Sequence, residues 1–322
     1  MVLKKFAVLF TILLLSISFV SCKKEADKNV PKVEIKVENN YDCGVFTPPW
    51  GYGYWEDWGK ANPEKFEPWY VSVIPKMAKV TGNEIESCSH LDNFFIGFSK
   101  LRNLEAFSRM THLKMLDMRF SQGIKDLKAI SKLENLEYLN IWKTAITDLT
   151  PIVKLPKLIR IDAKMTAIED ISMLKDMKQL ESIDLLQTKV KDISVFKNLP
   201  NLKEILLCST EVPDISVVYP IAEQITYIDL CNTKVRDFEN LRKFKNLQRL
   251  KVWGLPIKDA SLFSEMEDLY ELDLWSTKIT DLSPLFKLRK LKRLVIIGLK
   301  IDKKQLEILK KNNPGINIIE KL

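Results

Sequence analysis

Residues 133–154 read LENLEYLNIWKTAITDLTPIVK, and residues 155–179, LPKLIRIDAKMTAIEDISMLKDMKQ, repeat the same apolar spacing one period later. With Leu136 and Leu158 as the anchors of these two stretches, equivalent anchors run along the chain as Leu91, Leu113, Leu136, Leu158, Leu180, Leu202, Ile225, Leu247, Leu269 and Leu291. Seven of the nine intervals are 22 residues and two are 23, so the spacing defines ten repeats over 91–311. A unit this short has one apolar edge that it cannot bury alone. Stacking neighbours makes a continuous core, which is the logic of a solenoid.

Within each unit the apolar residues fall at the anchor, three further on and five further on, as in Leu180, Ile183 and Leu185, followed by Thr188, Val190 and Asp192. That alternation predicts a short strand whose positions two, four and six after the anchor face solvent. The column Thr144, Thr166, Thr188, Thr210, Thr233 and Thr277 belongs at an inward turn, where a short hydroxyl can bond to backbone; Leu255 and Leu299 break it. The column Asp126, Asp148, Asp170, Asp192, Asp214, Asp237, Asp259 and Asp281 precedes the opposite turn, where a carboxylate can cap free N–H groups. This L-x-x-L-x-L-x-x-T-x-I-x-D-L pattern resembles the leucine-rich-repeat family, in its short 22-residue internalin-like class, over residues 91 to 311. The resemblance implies an α/β repeat solenoid with a curved parallel β-sheet on the concave face, short helical turns on the convex face and caps at both ends. It also implies a module that binds a protein partner rather than an enzyme.

The solvent-facing columns are where a partner is expected. Position six runs Gly97, Arg119, Trp142, Lys164, Leu186, Cys208, Cys231, Trp253, Trp275 and Ile297, and it holds all three tryptophans of the repeats. Position two adds Tyr138, Arg160, Tyr227, Arg249 and Arg293. Trp, Tyr and Arg are enriched in binding hot spots, which makes Trp142, Trp253, Trp275, Tyr138, Tyr227 and Arg249 the candidate contacts. The competing reading is that these side chains pack across neighbouring strands and shield the sheet. Position four holds Asp117, Asp162, Asp184, Asp229 and Asp273; Asp229 and Asp273 join the candidate site. Asp162 and Asp184 fall on adjacent strands, where like charges repel, and Arg160 or a cationic ligand such as calcium is expected to offset this.

The composition excludes several classes. The net charge of +8 is spread along the chain with acids interleaved, the pattern of a solvated surface and not of a nucleic-acid groove. The sequence contains no HExxH, GxSxG, P-loop or CxxC motif, and its two histidines, His90 and His112, are 22 residues apart in repeat register. No cofactor, no resident metal and a monomeric state are therefore expected. Residues 41–90, with Trp50, Tyr52, Tyr54, Trp55, Trp58, Phe66, Trp69 and Tyr70, read as an aromatic N-terminal cap, with a sugar-stacking platform as the alternative. Cys43 and Cys88 bracket this cap and are candidates for a disulfide, whereas Cys208 and Cys231, at one offset in consecutive repeats, read as free thiols. At the other end, Lys303 to Asn312 reads as a helix and 312–322 as a closing cap strand.

The first residues read as an address. Lys4-Lys5 precede the apolar run Phe6 to Val20, whose 15 residues are fewer than the roughly 20 that a membrane-spanning helix needs. Phe19-Val20-Ser21-Cys22 resembles a bacterial lipobox, which implies that 1–21 is a signal peptide and that Cys22 is lipidated; 22–40 then form a polar tether. The expected location is the bacterial cell envelope, lipid-anchored to the outer membrane or cell surface, with a role in adhesion or host contact. A periplasmic scaffold is the alternative. Cys22→Ala is expected to abolish fatty-acid incorporation and leave the precursor uncleaved. Metabolic labelling of both forms is the check, and equal incorporation rejects the lipobox.

Overall fold

Each anchor is followed, two residues on, by a strand of three residues. They are β1 (Asn93–Phe95), β2 (Met115–Asp117), β3 (Tyr138–Asn140), β4 (Arg160–Asp162), β5 (Ser182–Asp184), β6 (Glu204–Leu206), β7 (Tyr227–Asp229), β8 (Arg249–Lys251), β9 (Glu271–Asp273) and β10 (Arg293–Val295), with β11 (Asn317–Ile319) closing the sheet. All pair in parallel with their sequence neighbours, in the order β1 to β11. This computed structural model describes Asn83, Ile85 and residues 88–321. The expected signal segment and tether, nearly all of the aromatic cap, Cys22 and Cys43 lie outside those residues. Cys88 is disulfide-bonded. No helix among the described residues is long and apolar enough to cross a membrane.

The core follows the sequence pattern. Position three, from Phe94 to Leu294, is at most 2% exposed in every repeat, and position five, from Ile96 to Ile296, at most 3%. Each side chain touches its counterparts in the repeats on either side, so apolar burial is continuous along the array.

After position five the chain turns. The N–H of Thr144 donates to the carbonyl of Ile141 (3.1 Å), and its hydroxyl donates to the same oxygen (2.7 Å). The hydroxyl bond recurs at Thr166, Thr188, Thr210, Thr233 and Thr277 at 2.7–2.8 Å. The residue before the threonine position is left-handed in every repeat: Phe98, Phe120, Lys143, Met165, Gln187, Ser209, Asn232, Gly254, Ser276 and Gly298 have φ between 52° and 79°. This is a type II turn, whose third residue needs positive φ. Only two repeats place glycine there, so eight side chains are held in a conformation disfavoured by about 1 kcal/mol each. The doubly bonded carbonyl and the packed core below it offset that cost.

Short 3-10 turns line the opposite, convex edge, from Glu105–Phe107 to Ser283–Lys287. As expected, the Asp column caps them. Asp148, Asp170, Asp192 and Asp214 each accept the N–H two residues on at 2.8 Å, and Asp126, Asp237, Asp259 and Asp281 do so at 2.7–3.2 Å. In the last unit a longer helix, α1 (Lys303–Asn312), replaces the 3-10 turn, with Asp302 as its N-cap. Its Leu306 and Leu309 are buried. The two 23-residue repeats leave the sheet in register, Met115 opposite Tyr138 and Glu204 opposite Tyr227. In the second repeat the extra residue sits beside Gly123, where a Cβ would lie 2.2 Å from the Leu101 carbonyl oxygen. In the sixth it lengthens the 3-10 segment Ser216–Gln224.

Leu185 is fully buried at position five, and Lys189 is exposed beyond the turn. Leu185→Ala is expected to lower stability by about 2–5 kcal/mol and Lys189→Ala by less than about 0.5 kcal/mol, measured by urea denaturation. Equal losses would contradict the register.

Candidate functional site on the concave face

Positions two, four and six project from the concave face of the sheet, as alternation requires. The fourth position has a backbone task that alternation alone does not reveal. The N–H at position six takes no part in the ladder where the chain turns, and the side chain at position four accepts it. Asp117, Asn140, Asp162, Asp184, Asp229 and Asp273 bind the N–H of Arg119, Trp142, Lys164, Leu186, Cys231 and Trp275 at 2.9–3.3 Å. Asp and Asn accept this donor two residues on more strongly than Ser or Thr do, which accounts for their recurrence.

Toward the N-terminal end the face is locked by internal pairing. Arg119 is 3% exposed and forms an ion pair with Asp117, its Nε 2.8 and 2.9 Å from the two carboxylate oxygens. Trp142, half-buried, lies between the Arg119 guanidinium at 5.9 Å and the Lys164 ammonium at 5.0 Å. Tyr138 receives a hydrogen bond from Asn140 at 3.1 Å. Trp142 and Tyr138, expected as partner contacts, thus make contacts within the sheet while remaining partly exposed. The repulsion between Asp162 and Asp184 is offset by Lys164, whose Nζ is 3.1 and 3.5 Å from their carboxylates, and not by Arg160. Arg160 points instead to Glu204, 3.6 Å away. A cation from solvent is not needed there.

Toward the C-terminal end the arrangement differs. Trp253 and Trp275, half-buried like Trp142, are neighbours with ring centroids 5.4 Å apart and tilted by 32°. Beside them Glu271 joins Arg249 (3.0 Å) and Arg293 (2.7 Å) across three strands. Burial would raise the carboxyl of Glu271, but Lys251, Arg249 and Arg293 outweigh it and hold the group below its ordinary range. Glu271 was missing from the sequence-level site; its place in column two between Arg249 and Arg293 was the available signal. Two of the expected contacts, Tyr227 and Asp229, are buried in the free chain. Tyr227 is 3% exposed because the Arg249 guanidinium covers its ring at 4.2 Å, with Lys251 at 5.6 Å, and Asp229 is 6% exposed. Arg249 and Asp273 remain partly accessible. Between the two ends, Cys208 and Cys231 are free thiols side by side, with Asp229 next to them.

No protein-family model matches the chain, and no curated protein matches it in sequence. Its backbone is similar to an internalin, InlF, from Listeria monocytogenes, with TM-score 0.62 and 20% identity over 73% of this chain and 75% of that one. It is also similar to a leucine-rich-repeat protein of Leptospira interrogans (TM-score 0.50, 15% identity, 78% and 86% covered). A third likeness is to the ectodomain of a plant membrane receptor kinase from Arabidopsis thaliana (TM-score 0.53, 16% identity, 73% and 34% covered). The fold is a leucine-rich-repeat solenoid. At these identities the likeness establishes the repeat architecture alone, so the chemistry of the concave face has to be read from this chain's own residues.

That chemistry makes the solenoid sensitive to pH in two opposite ways. Burial, partly countered by Lys164, pushes the Asp184 carboxyl up to about 7, and burial likewise pushes Asp273 up to about 6. Groups raised in this way favour the folded state fully below the unfolded value near 3.8, and the benefit is lost as pH rises through 6 to 7. Hydrogen bonds from Ser172, Ser216, Ser261 and Ser283 lower the capping groups Asp170, Asp214, Asp259 and Asp281, whose contribution is lost as pH falls below the carboxylate range. Stability is therefore expected to rise from pH 8 to 6, by at most about 1.4 kcal/mol per pH unit for each proton taken up, and to fall again in acid. Asp184→Asn, which keeps an acceptor for the Leu186 N–H, should flatten the neutral limb of the urea-midpoint profile. An unchanged slope would place the titration elsewhere.

Proposed function

We propose that this chain is a lipid-anchored binding module of the bacterial cell envelope, which holds a protein partner on the concave face of repeats seven to nine and catalyses no reaction. The observation that carries this reading is the Trp253–Trp275 pair. All three tryptophans are partly open; Trp142 is flanked by cations of its own sheet, whereas these two indoles lie against each other beside Arg249, Arg293 and Asp273. A half-exposed aromatic pair within a ring of paired charges has the makeup of an interface centre with a polar rim. The solved Arabidopsis ectodomain of the same fold is in complex with Casparian strip integrity factor 2, which supports a protein or peptide ligand. In this reading the partner belongs to another cell or a host, and the chain is a monomer anchored through Cys22 to the outer membrane or cell surface.

The test uses the full chain immobilised on beads and presented with envelope and host-surface protein extracts. Trp253→Ala with Trp275→Ala should weaken retention of the bound protein by about 2 kcal/mol or more per tryptophan, while the circular-dichroism spectrum stays unchanged. The convex variants Lys191→Ala and Lys258→Ala should retain it as the wild type does. A double variant that binds normally refutes the site, and one that unfolds makes the tryptophans structural. Loss of the chain on protease treatment of intact cells is the expected result for an outward-facing module; protection would mean a periplasmic scaffold.

A further inference from the structure

Between the charged N-terminal end of the concave face and its aromatic C-terminal end lies a cluster that the binding reading does not use. β6 and β7 pair with Leu206 opposite Asp229, and the ladder continues beyond them, Leu207 N–H to Asp229 carbonyl at 2.8 Å and Ser209 N–H to Cys231 carbonyl at 2.7 Å. This places Cys208 and Cys231 side by side on one face, two residues past Leu206 and Asp229. The two Sγ atoms and a carboxylate oxygen of Asp229 all lie within 4.8 Å of one another. All three side chains are buried, at 5%, 0% and 6% exposure for Cys208, Cys231 and Asp229.

We propose that Cys208, Cys231 and Asp229 form a binding site for one thiophilic divalent cation of the zinc class. Two sulfurs and one carboxylate oxygen are a donor set that tetrahedral zinc takes, with metal–sulfur bonds of about 2.3 Å and metal–oxygen bonds of about 2.0 Å. Such bonds set the donor atoms roughly 3.5–3.8 Å apart, so side-chain rotations of about 1 Å close the cluster around an ion. A water would complete the fourth position.

A second observation points the same way. Of the four buried aspartates at position four, Asp117 is paired with Arg119, and Asp162 and Asp184 share Lys164. Asp229 makes no ion pair within 4 Å among the described residues, although Lys251, opposite it on β8, acts on it electrostatically. Its Oδ1 accepts the Cys231 N–H at 3.1 Å, which orients the carboxylate without neutralising it. Lys251 faces this carboxylate without contacting it, and a cation bound between it and the two sulfurs would contact it directly. Lys251 also offsets the remaining negative charge once both thiols release their protons to solvent on binding the ion.

The test is metal uptake by the reduced full-length chain after chelator treatment. Cadmium, used as a spectroscopic substitute, should give thiolate-to-metal charge-transfer absorption that saturates at one equivalent above the background of the other cysteines, and zinc should displace it. Cys208→Ser with Cys231→Ser should abolish this increment. Asp229→Asn, which retains the acceptor for the Cys231 N–H, should weaken uptake by about tenfold or more. In the unaltered chain, where folding of a variant is not at issue, saturating zinc should raise the thermal midpoint. No increment, the same increment in the double variant, or no thermal shift overturns the proposal. So does mass-spectrometric detection of a Cys208–Cys231 disulfide in the purified chain, which would make the pair redox-active instead. None of these outcomes depends on the tryptophan site.

Discussion

The carbonyl at position five of each repeat is the point on which the architecture turns. In eight repeats it accepts the backbone N–H, and in six the hydroxyl, of the residue three further on, and the intervening residue is left-handed in all ten. That closure ends the strand after three residues and sends the chain to the convex side. It also points position six outward at the same height in every repeat. Stacking of the apolar columns supplies the free energy, but without this turn those columns would not come into register. The aspartate at position four completes the arrangement by taking up the N–H that the turn removes from the ladder.

One consequence is that the concave face is structural in its backbone-facing atoms and free to vary in its outer ones. Asp184 and Asp229 use one oxygen for the turn, and what the rest of the carboxylate meets differs between them. Lys164 meets Asp184, whereas two thiols lie beside Asp229. The same scaffold position therefore carries an ion pair in one repeat and a candidate ligand in another. Tryptophans diverge in the same manner, since Trp142 lies between Arg119 and Lys164 while Trp253 and Trp275 lie against each other.

The repeat register, the strand positions, the capping aspartates and the inward hydroxyl column were all legible in the sequence, because each is a periodic column with a local physical cause. What escaped was set by neighbours on other strands. Tyr227 and Trp253 both occupy outward positions, yet only the tyrosine is covered, because Arg249 on the next strand folds over its ring. Lys164 serves as counter-ion to two aspartates because it stands between them, a fact of side-chain reach and not of period. The left-handed residue escaped for another reason: Lys143, Met165 and Gln187 are not residue types that announce positive φ.

The placement of the two longer repeats bears on how such an array can change over generations. Both extra residues are taken up beyond the turn, one beside Gly123 and one in Ser216–Gln224, and the strands on either side stay aligned. Insertions on that edge are therefore invisible to whatever touches the opposite side. A one-residue slip between positions two and six would instead exchange inside for outside in a whole unit. The two faces thus evolve under different grammars: the outer edge accepts changes in length, while the inner face accepts only changes in spelling.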